Sequence, residues 1–567
     1  MAKATASPFS QRIQPWLPKI VTALRGYTPR KFTSDLVAGV TVGLVALPLA
    51  MAFAISSGMS PQAGIYTAIV AGFLSALLGG SMAQVSGPTG AFVVVVAGIV
   101  AKHGVDGLFT CTLLAGLILI ALGVTGLGTA VKYIPRPVVV GFTNGIAVVI
   151  ASTQIRDFLG LKVASLPGDF TGRLQVLARA LGTTSASTAI IAGGCLLLIL
   201  LGKRFYPRVP GTIVALILGS VAAFWLRLPI ETIASRFGGI PTGLPTVVVP
   251  NLHLDLLGPL LPSAITVAML GAIESLMSAV VSDRMLNDQH NPNVELIGQG
   301  VANVVSPLLG GLPATGAIAR TATNIRSGAK TPVASIIHAT VLVAIVLFAA
   351  PLAGHIPLSV LAAILLVVAY NMGDWEEIPQ IWRASKADRA VWLLTFALTV
   401  FADLTVAVQA GMILAALLYI SRVTRTTSVT AVDAEYFEEG KDHLLIGRHI
   451  PHGVAIYKIH GPFLFGSTDK VREVVGKVDD LPPVVIVRLR NMTAIDTTGI
   501  QALEDLTEAI QSSGRQVIFC GMRQQPEAMM RRAGFAEMVG EENLCPNAAT
   551  AIGRASELLN RVLNVSA

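Results

Sequence analysis

Charge is scarce in this sequence. Only 13% of its 567 residues are Asp, Glu, Lys or Arg, against about 25% in globular proteins. With 53% hydrophobic residues and a mean hydropathy of +0.68, a soluble globular chain is excluded. Cysteine is scarcer still. Cys111, Cys195, Cys520 and Cys545 show no paired spacing, which excludes a disulfide framework or a cysteine metal site. The opening MAKATASPFSQRIQPWLPKI lacks a hydrophobic signal core, so no cleaved leader is expected. No nucleophile–base pair, phosphate loop or metal-ligand spacing is visible. An enzyme, a cofactor and a bound metal are therefore not expected. The net charge is +8, but no basic stretch is interleaved with aromatics as nucleic-acid binding requires. The basic residues read instead as cytoplasmic loops of a polytopic membrane protein.

What the sequence does have is apolar runs. A membrane span needs about 20 apolar residues. Candidate segments are 35–56, 62–80, 88–101, 108–130, 137–158, 186–202, 210–226, 262–283, 294–311, 314–326, 333–352, 357–371, 388–402 and 405–424. Two of these fourteen, 88–101 and 314–326, are only about half a span long. Basic residues fall in alternate loops: Lys19 to Lys31, Lys132 and Arg136, Lys203 to Arg208, Arg326 and Lys330, and Arg383 to Arg389. Positive-inside then places both termini in the cytoplasm. The loop from Arg156 to Arg179 is an exception. At AVDAEYFEEGKDH the composition turns polar and acidic. The expected domains are an N-terminal arm (1–34), a membrane domain (35–425), a linker (426–444) and a soluble domain (445–562).

An internal repeat runs through the membrane part. Gly87-Pro88-Thr89-Gly90-Ala91 resembles Pro313-Ala314-Thr315-Gly316-Ala317, and each follows a Gly-Gly pair. Ile134-Pro135-Arg136-Pro137-Val138 resembles Ile356-Pro357-Leu358-Ser359-Val360 at a similar offset. Each half would hold seven segments, an odd number, so the halves must cross the membrane in opposite senses. That is the inverted repeat of secondary transporters. A half-helix starting at mid-membrane must be buried or line a cavity. Two such helices would meet near the midplane, each offering free amide donors and the positive end of its dipole. Together they make an anion site. The site candidates are Ser86, Gly87, Pro88, Thr89, Gly90, Thr315, Gly316, Ala317, Ala319 and Arg320. Gly87, Gly90 and Gly316 are expected to let a ligand approach the backbone. The plainer alternative, Gly and Pro merely kinking complete helices, stays open at this point.

Glu274 lies in the middle of the eighth segment, and an ionisable residue there is a functional candidate. The sharper reading gives Arg320 a positive charge beside the anion and Glu274 an exchangeable proton. The alternative is a structural ion pair between the two. Asn144 and Asp403 are weaker candidates, suited to capping or lining a packing face. His338, on an apolar helix, reads as a satisfied interior histidine.

In the tail, GVAIYKI, PPVVIVRLR and RQVIFCG are strand-like. TTGIQALEDLTEAIQSSG, PEAMMRRAG and AATAIGRASELLNRVL are helical. This predicts a small α/β domain with one core. Asp496-Thr497-Thr498-Gly499 falls at a strand-to-helix turn. It reads as a helix cap, with phosphate acceptance at Thr497 or Thr498 as the other possibility.

LVAGVTVGLVALPLAMAFA, VSGPTGAFVVV, MLGAIESLMSAVV, GLPATGAIARTATNIRSGA and AIDTTGIQALEDL, in this order, resemble the sulfate permease (SulP) family of anion transporters. Within it the likeness runs closest to bacterial aerobic C4-dicarboxylate transporters. The resemblance implies fourteen segments in a seven-plus-seven inverted repeat, core and gate domains, and a cytoplasmic STAS domain. It implies a small dianion such as succinate, fumarate or sulfate as substrate, with bicarbonate or chloride as the alternative. Many members carry Gln or Glu where this chain has Leu49, which shifts proton coupling to Glu274. Sodium-dependent bicarbonate members tend to have Asp where this chain has Glu274, so a proton is expected here rather than sodium. The expected partners are the anion, the proton, the lipid bilayer and a second copy of the chain. Acyl carrier protein or another regulatory protein is expected at the tail. A membrane-anchored STAS scaffold is the reading from another class. The retained Glu274, Arg320 and both half-helix starts count against it.

Overall fold

The computed structural model describes residues 16–129, 135–163, 166–206, 210–239, 243, 247, 257–402, 404–431, 450–476 and 478–565. Asp403, Lys132, Ile134 and most of the expected linker lie outside them. Two compact units, Met1–Ala415 and Ala416–Ala567, make up the chain.

The membrane unit is helical. Its long elements are α1 (Pro29–Ser56), α2 (Pro61–Leu78), α3 (Gly90–Val124), α4 (Arg136–Leu159), α5 (Ala186–Phe205), α6 (Gly211–Trp225), α7 (Leu257–Leu286) and α8 (Pro292–Leu308). They are followed by α9 (Ile318–Arg326), α10 (Val333–Phe348), α11 (Leu358–Met372) and α12 (Lys386–Phe401), and α13 (Leu404–Thr426) runs past the division at Ala415. Among the described residues, seven helices are long and apolar enough to cross a membrane. The third and fourth expected segments share α3, which breaks at Gly104 (φ 69°, ψ −172°). Its first part therefore stays a half-helix. At nine residues and 1.5 Å per residue, α9 is about 13 Å long.

Local chemistry sets the helix ends. Pro29 opens α1 behind a Thr28 cap, since its missing N–H costs nothing at that position. Asn291 Oδ1 accepts the N–H groups of Asn293 and Val294 to cap α8. Gly160 closes α4 in the left-handed conformation (φ 64°).

Helices α1, α2, α3, α7, α8, α9 and α10 pack chiefly on one another, and α4, α5, α6, α11 and α12 form a second group. These correspond to core and gate. Small residues bring backbones together, as lipid-facing bundles require. A methyl at Gly116 of α3 would fall 2.7 Å from the Gly300 carbonyl of α8. Within the basic 156–179 loop, one residue has a structural role. Arg173 is 6% exposed and donates to the Pro167 and Gly168 carbonyls and to Ser152.

The second unit carries a five-stranded sheet ordered β3 (Ser428–Ala431), β4 (Val454–Phe463), β5 (Val484–Ile495), β6 (Gln516–Cys520) and β7 (Leu544–Cys545). Among the described strands of this sheet, β3 and β4 pair antiparallel and the other pairs are parallel. Apolar clusters cover both faces. Burial pushes the Cys520 thiol up to about 12. Helix α14 (Thr497–Ser512) starts at Asp496, which accepts from Gly499 N at 2.8 Å and Phe465 N at 3.0 Å. Thr497 and Thr498 sit exposed on its first turn.

Candidate functional site

The stretches ahead of α3 and α9 are not helical, and their backbone polar groups need partners inside the membrane. Part of the answer is mutual. Strand β1 (Ser86–Gly87) pairs antiparallel with β2 (Thr315–Gly316), Ser86 facing Gly316 and Gly87 facing Thr315. Equivalent stretches running in opposite directions are what an inverted repeat produces. Ala317 N extends the pairing to the Val85 carbonyl at 2.9 Å.

Side chains from surrounding helices supply the rest. Glu295 accepts Gly80 N at 2.9 Å and Gln84 Nε2 at 2.8 Å. Gln299 bonds both Glu295 (3.0 Å) and the Ser86 hydroxyl (2.5 Å). Thr321 takes Val85 N at 3.0 Å. On the other strand, Thr67 takes Leu312 N, Ser275 takes Gly316 N, and Asn303 takes both polar groups of Ala314. The unwound backbone is thus locked from α2, α7, α8 and α9.

The crossing brings the N-termini of α3 and α9 together. Ser86, Gly87, Pro88, Thr89, Gly90, Thr315, Gly316 and Ala317 are all buried there, while Ile318 and Ala319 are exposed at the tip of α9. Glu274 is partly exposed and accepts from the Thr89 hydroxyl at 2.9 Å. Arg320 is 3% exposed and donates through Nη2 to the Pro88 carbonyl. The carboxylate and guanidinium therefore each hold the start of α3, from two sides. Nη1 of Arg320 has no hydrogen-bond partner, and a methyl at Gly87 would fall 2.6 Å from it. Two helix N-termini, a buried guanidinium and a carboxylate anchored to Thr89 can bind an anion and a proton side by side.

The other residues singled out in the sequence are placed as follows. Beside the glycines stand Arg320 at Gly87, Met372 Sδ at Gly90 and Gln84 at Gly316. His338 is fully buried, but neither ring nitrogen meets a partner. Space beside Gly72, rather than a bond, accommodates its ring. Asn144 lines a packing face, its Oδ1 accepting from Trp392 Nε1 at 3.2 Å. Sequence reasoning missed Gln84, Glu295 and Gln299. Glu295 resembles an ordinary first-turn acid of α8, so its neighbourhood gives no cue.

Gly316→Ala tests the crossing. Its methyl would fall 2.1 Å from Gln84 Nε2, which Glu295 holds, and 3.1 Å from Ser275 Cα. Overpacking of this kind costs about 1–3 kcal/mol. Anion uptake by membranes carrying matched amounts of protein is expected to fall, while Gly98→Ala, with nothing within 4 Å, leaves it unchanged.

Comparison with known proteins identifies the family. The sulfate permease family model matches residues 32–395 and the STAS domain model residues 448–551. The chain is 38% identical to the putative sulfate transporter YvdB of Bacillus subtilis, covering 92% of this chain and 97% of that one. It is 32% identical to the bicarbonate transporter BicA of Synechocystis, covering 91% and 92%. Among solved structures, the transmembrane domain of a cyanobacterium bicarbonate transporter BicA is 36% identical, with a TM-score of 0.62 over 67% of this chain and 98% of that one. The overall structure of SLC26A9 is 18% identical with a TM-score of 0.86 over 98% and 97%, a likeness of fold.

Proposed function

This chain belongs to the sulfate permease family and is a multi-pass membrane anion transporter, and from that premise we propose that it carries small oxyanions together with a proton. The observation that carries the reading is the antiparallel pairing of β1 with β2, which sets two helix N-termini beside Glu274 and Arg320. The substrate is a dianion such as sulfate, succinate or fumarate, held at Ser86 to Gly90 and Thr315 to Arg320. Backbone amides and one guanidinium read charge more than shape. The bicarbonate transporters among the relatives support a second reading, bicarbonate.

Coupling follows from Coulomb's law. An ionised Glu274 repels an anion at the crossing, and the interaction is strong where water is excluded. Protonation removes that repulsion, so each ligand favours the other's binding. Anion affinity therefore rises as pH falls. Uptake of labelled sulfate, succinate, fumarate and bicarbonate into proteoliposomes, with and without a pH gradient, tests the reading. Accumulation of all four unaffected by a pH gradient would reject proton coupling.

The tail acts as a regulatory module on the cytoplasmic side of the plasma membrane. Exposed Thr497 and Thr498 are its phosphate acceptors, and it offers a surface to acyl carrier protein or a second copy of the chain. Removing residues after Arg425 takes away no residue of the crossing. The truncated protein is therefore expected to keep binding anion in detergent, as read by calorimetry. Lost binding in a folded truncation would place part of the site in the tail.

A further inference from the structure

At the end of α6 opposite the basic loop around Lys203, Phe224, Trp225 and Leu226 are 64%, 82% and 66% exposed. Exposed aromatics at the end of a span mark the level of lipid headgroups. Ile217, Leu218 and Val221 are exposed on the same helix. At these spacings they form one apolar stripe with Phe224 and Trp225. The stripe ends at Arg227, held in the left-handed conformation (φ 47°) that side-chain-bearing residues rarely adopt.

The next turn of chain is tied down. Leu358 N bonds the Glu231 carbonyl, Ile233 N the Ile356 carbonyl and Ala234 N the Gly354 carbonyl. Between this turn and the end of α6 lies a cavity of about 520 Å³, with Trp225, Arg227, Thr232 and His355 in its wall. Ligand sites typically span about 300–1,000 Å³. His355 stands edge-on to Phe224, ring centroids 5.8 Å apart. Its Nδ1 lies 3.0 Å from the Pro351 carbonyl. A carbonyl only accepts, so Nδ1 carries a proton, and in the neutral ring Nε2 is then an acceptor. Glu231 and Asp157 are both held by Arg236. Among the described residues no carboxylate pairs with Arg227.

We propose that this cavity holds the headgroup of an anionic phospholipid of the phosphatidylglycerol type. The phosphodiester sits against Arg227, a headgroup hydroxyl donates to His355 Nε2, and the acyl chains lie along the stripe of α6. The stripe favours a lipid over free phosphate, because only a lipid covers the apolar approach and the cation together.

Delipidated full-length protein in detergent, titrated with phosphatidylglycerol, phosphatidic acid, phosphatidylcholine or inorganic phosphate and read by native mass spectrometry and unfolding temperature, tests the proposal. Phosphatidylglycerol is expected to bind and stabilise, phosphatidylcholine and millimolar phosphate are not. Arg227→Gln is expected to weaken phosphatidylglycerol roughly fivefold, and Arg227→Lys to retain most of the affinity. His355→Phe should erase the preference for phosphatidylglycerol over phosphatidic acid, which lacks the hydroxyl. Undiminished binding by Arg227→Gln, or stabilisation by phosphate equal to that by the lipid, overturns the proposal. So does crosslinking of Trp225→Cys between two copies, which would show a protein covering the stripe. If Arg227→Gln fails to fold, an unchanged lipid preference in His355→Phe overturns it.

Discussion

Glu274→Gln is expected to abolish anion accumulation driven by an inward proton gradient while preserving anion exchange. The amide keeps the size of the carboxyl and a partner for the Thr89 hydroxyl, whose bond to Glu274 is 2.9 Å long. It cannot titrate, so the site behaves as though permanently protonated. Anion affinity then becomes independent of pH and stays near its acidic value. In proteoliposomes, uptake with a proton gradient should fall to the level without one, and counterflow of labelled for unlabelled anion should persist. Full gradient-driven uptake by the variant would remove Glu274 from the coupling step. Loss of folded protein in the variant, with Glu274→Asp folding normally, would favour a structural carboxylate instead.

Arg320→Ala is expected to weaken anion binding roughly 10- to 100-fold, the equivalent of a charge-assisted hydrogen bond worth about 1.5–3 kcal/mol. Two losses combine. The crossing loses its buried positive charge, and the Pro88 carbonyl loses its donor. Arg326→Ala, an exposed position at the other end of the same helix, serves as the control and should change little. Arg320→Lys keeps the charge and one donor and should recover part of the affinity. Titration of purified variants with sulfate or succinate measures the difference. Equal, small effects at Arg320 and Arg326 would remove the guanidinium from the site.

The half-helices were legible in the sequence because length and punctuation agreed. The apolar run after Gly90 is too short to span, and Gly-Pro and Pro-Ala-Thr-Gly mark both starts. The common offset marked the repeat, and the odd number of segments in each half then implied opposed directions. The strand pairing was not legible, since two residues carry no periodicity. Nor was the lock behind it: Gln84 lies more than 200 positions from Glu295 and Gln299, which share one helix, and only the fold brings them together. His338 illustrates the limit of a residue-type expectation, because nothing in VASIIHATVL tells whether the ring will find a partner. In the tail, alternation marked β4, β5 and β6. Strand β3 was missed because its four residues directly follow the last apolar helix.

The crossing also constrains how the protein is made. Pro88 and its buried donor Arg320 are 232 positions apart in the chain. Synthesis at about 5–20 residues per second separates them by roughly 10–50 seconds. During that interval the first half of the chain is in the membrane with the 80–87 stretch lacking Glu295, Gln299, Thr321 and its partner strand. Each unpaired backbone group facing hydrocarbon costs several kcal/mol. The early segments must therefore wait at the insertion machinery, or shelter those groups in a different arrangement, until the tenth segment arrives. Assembly of the anion site and completion of the membrane bundle are then one late event.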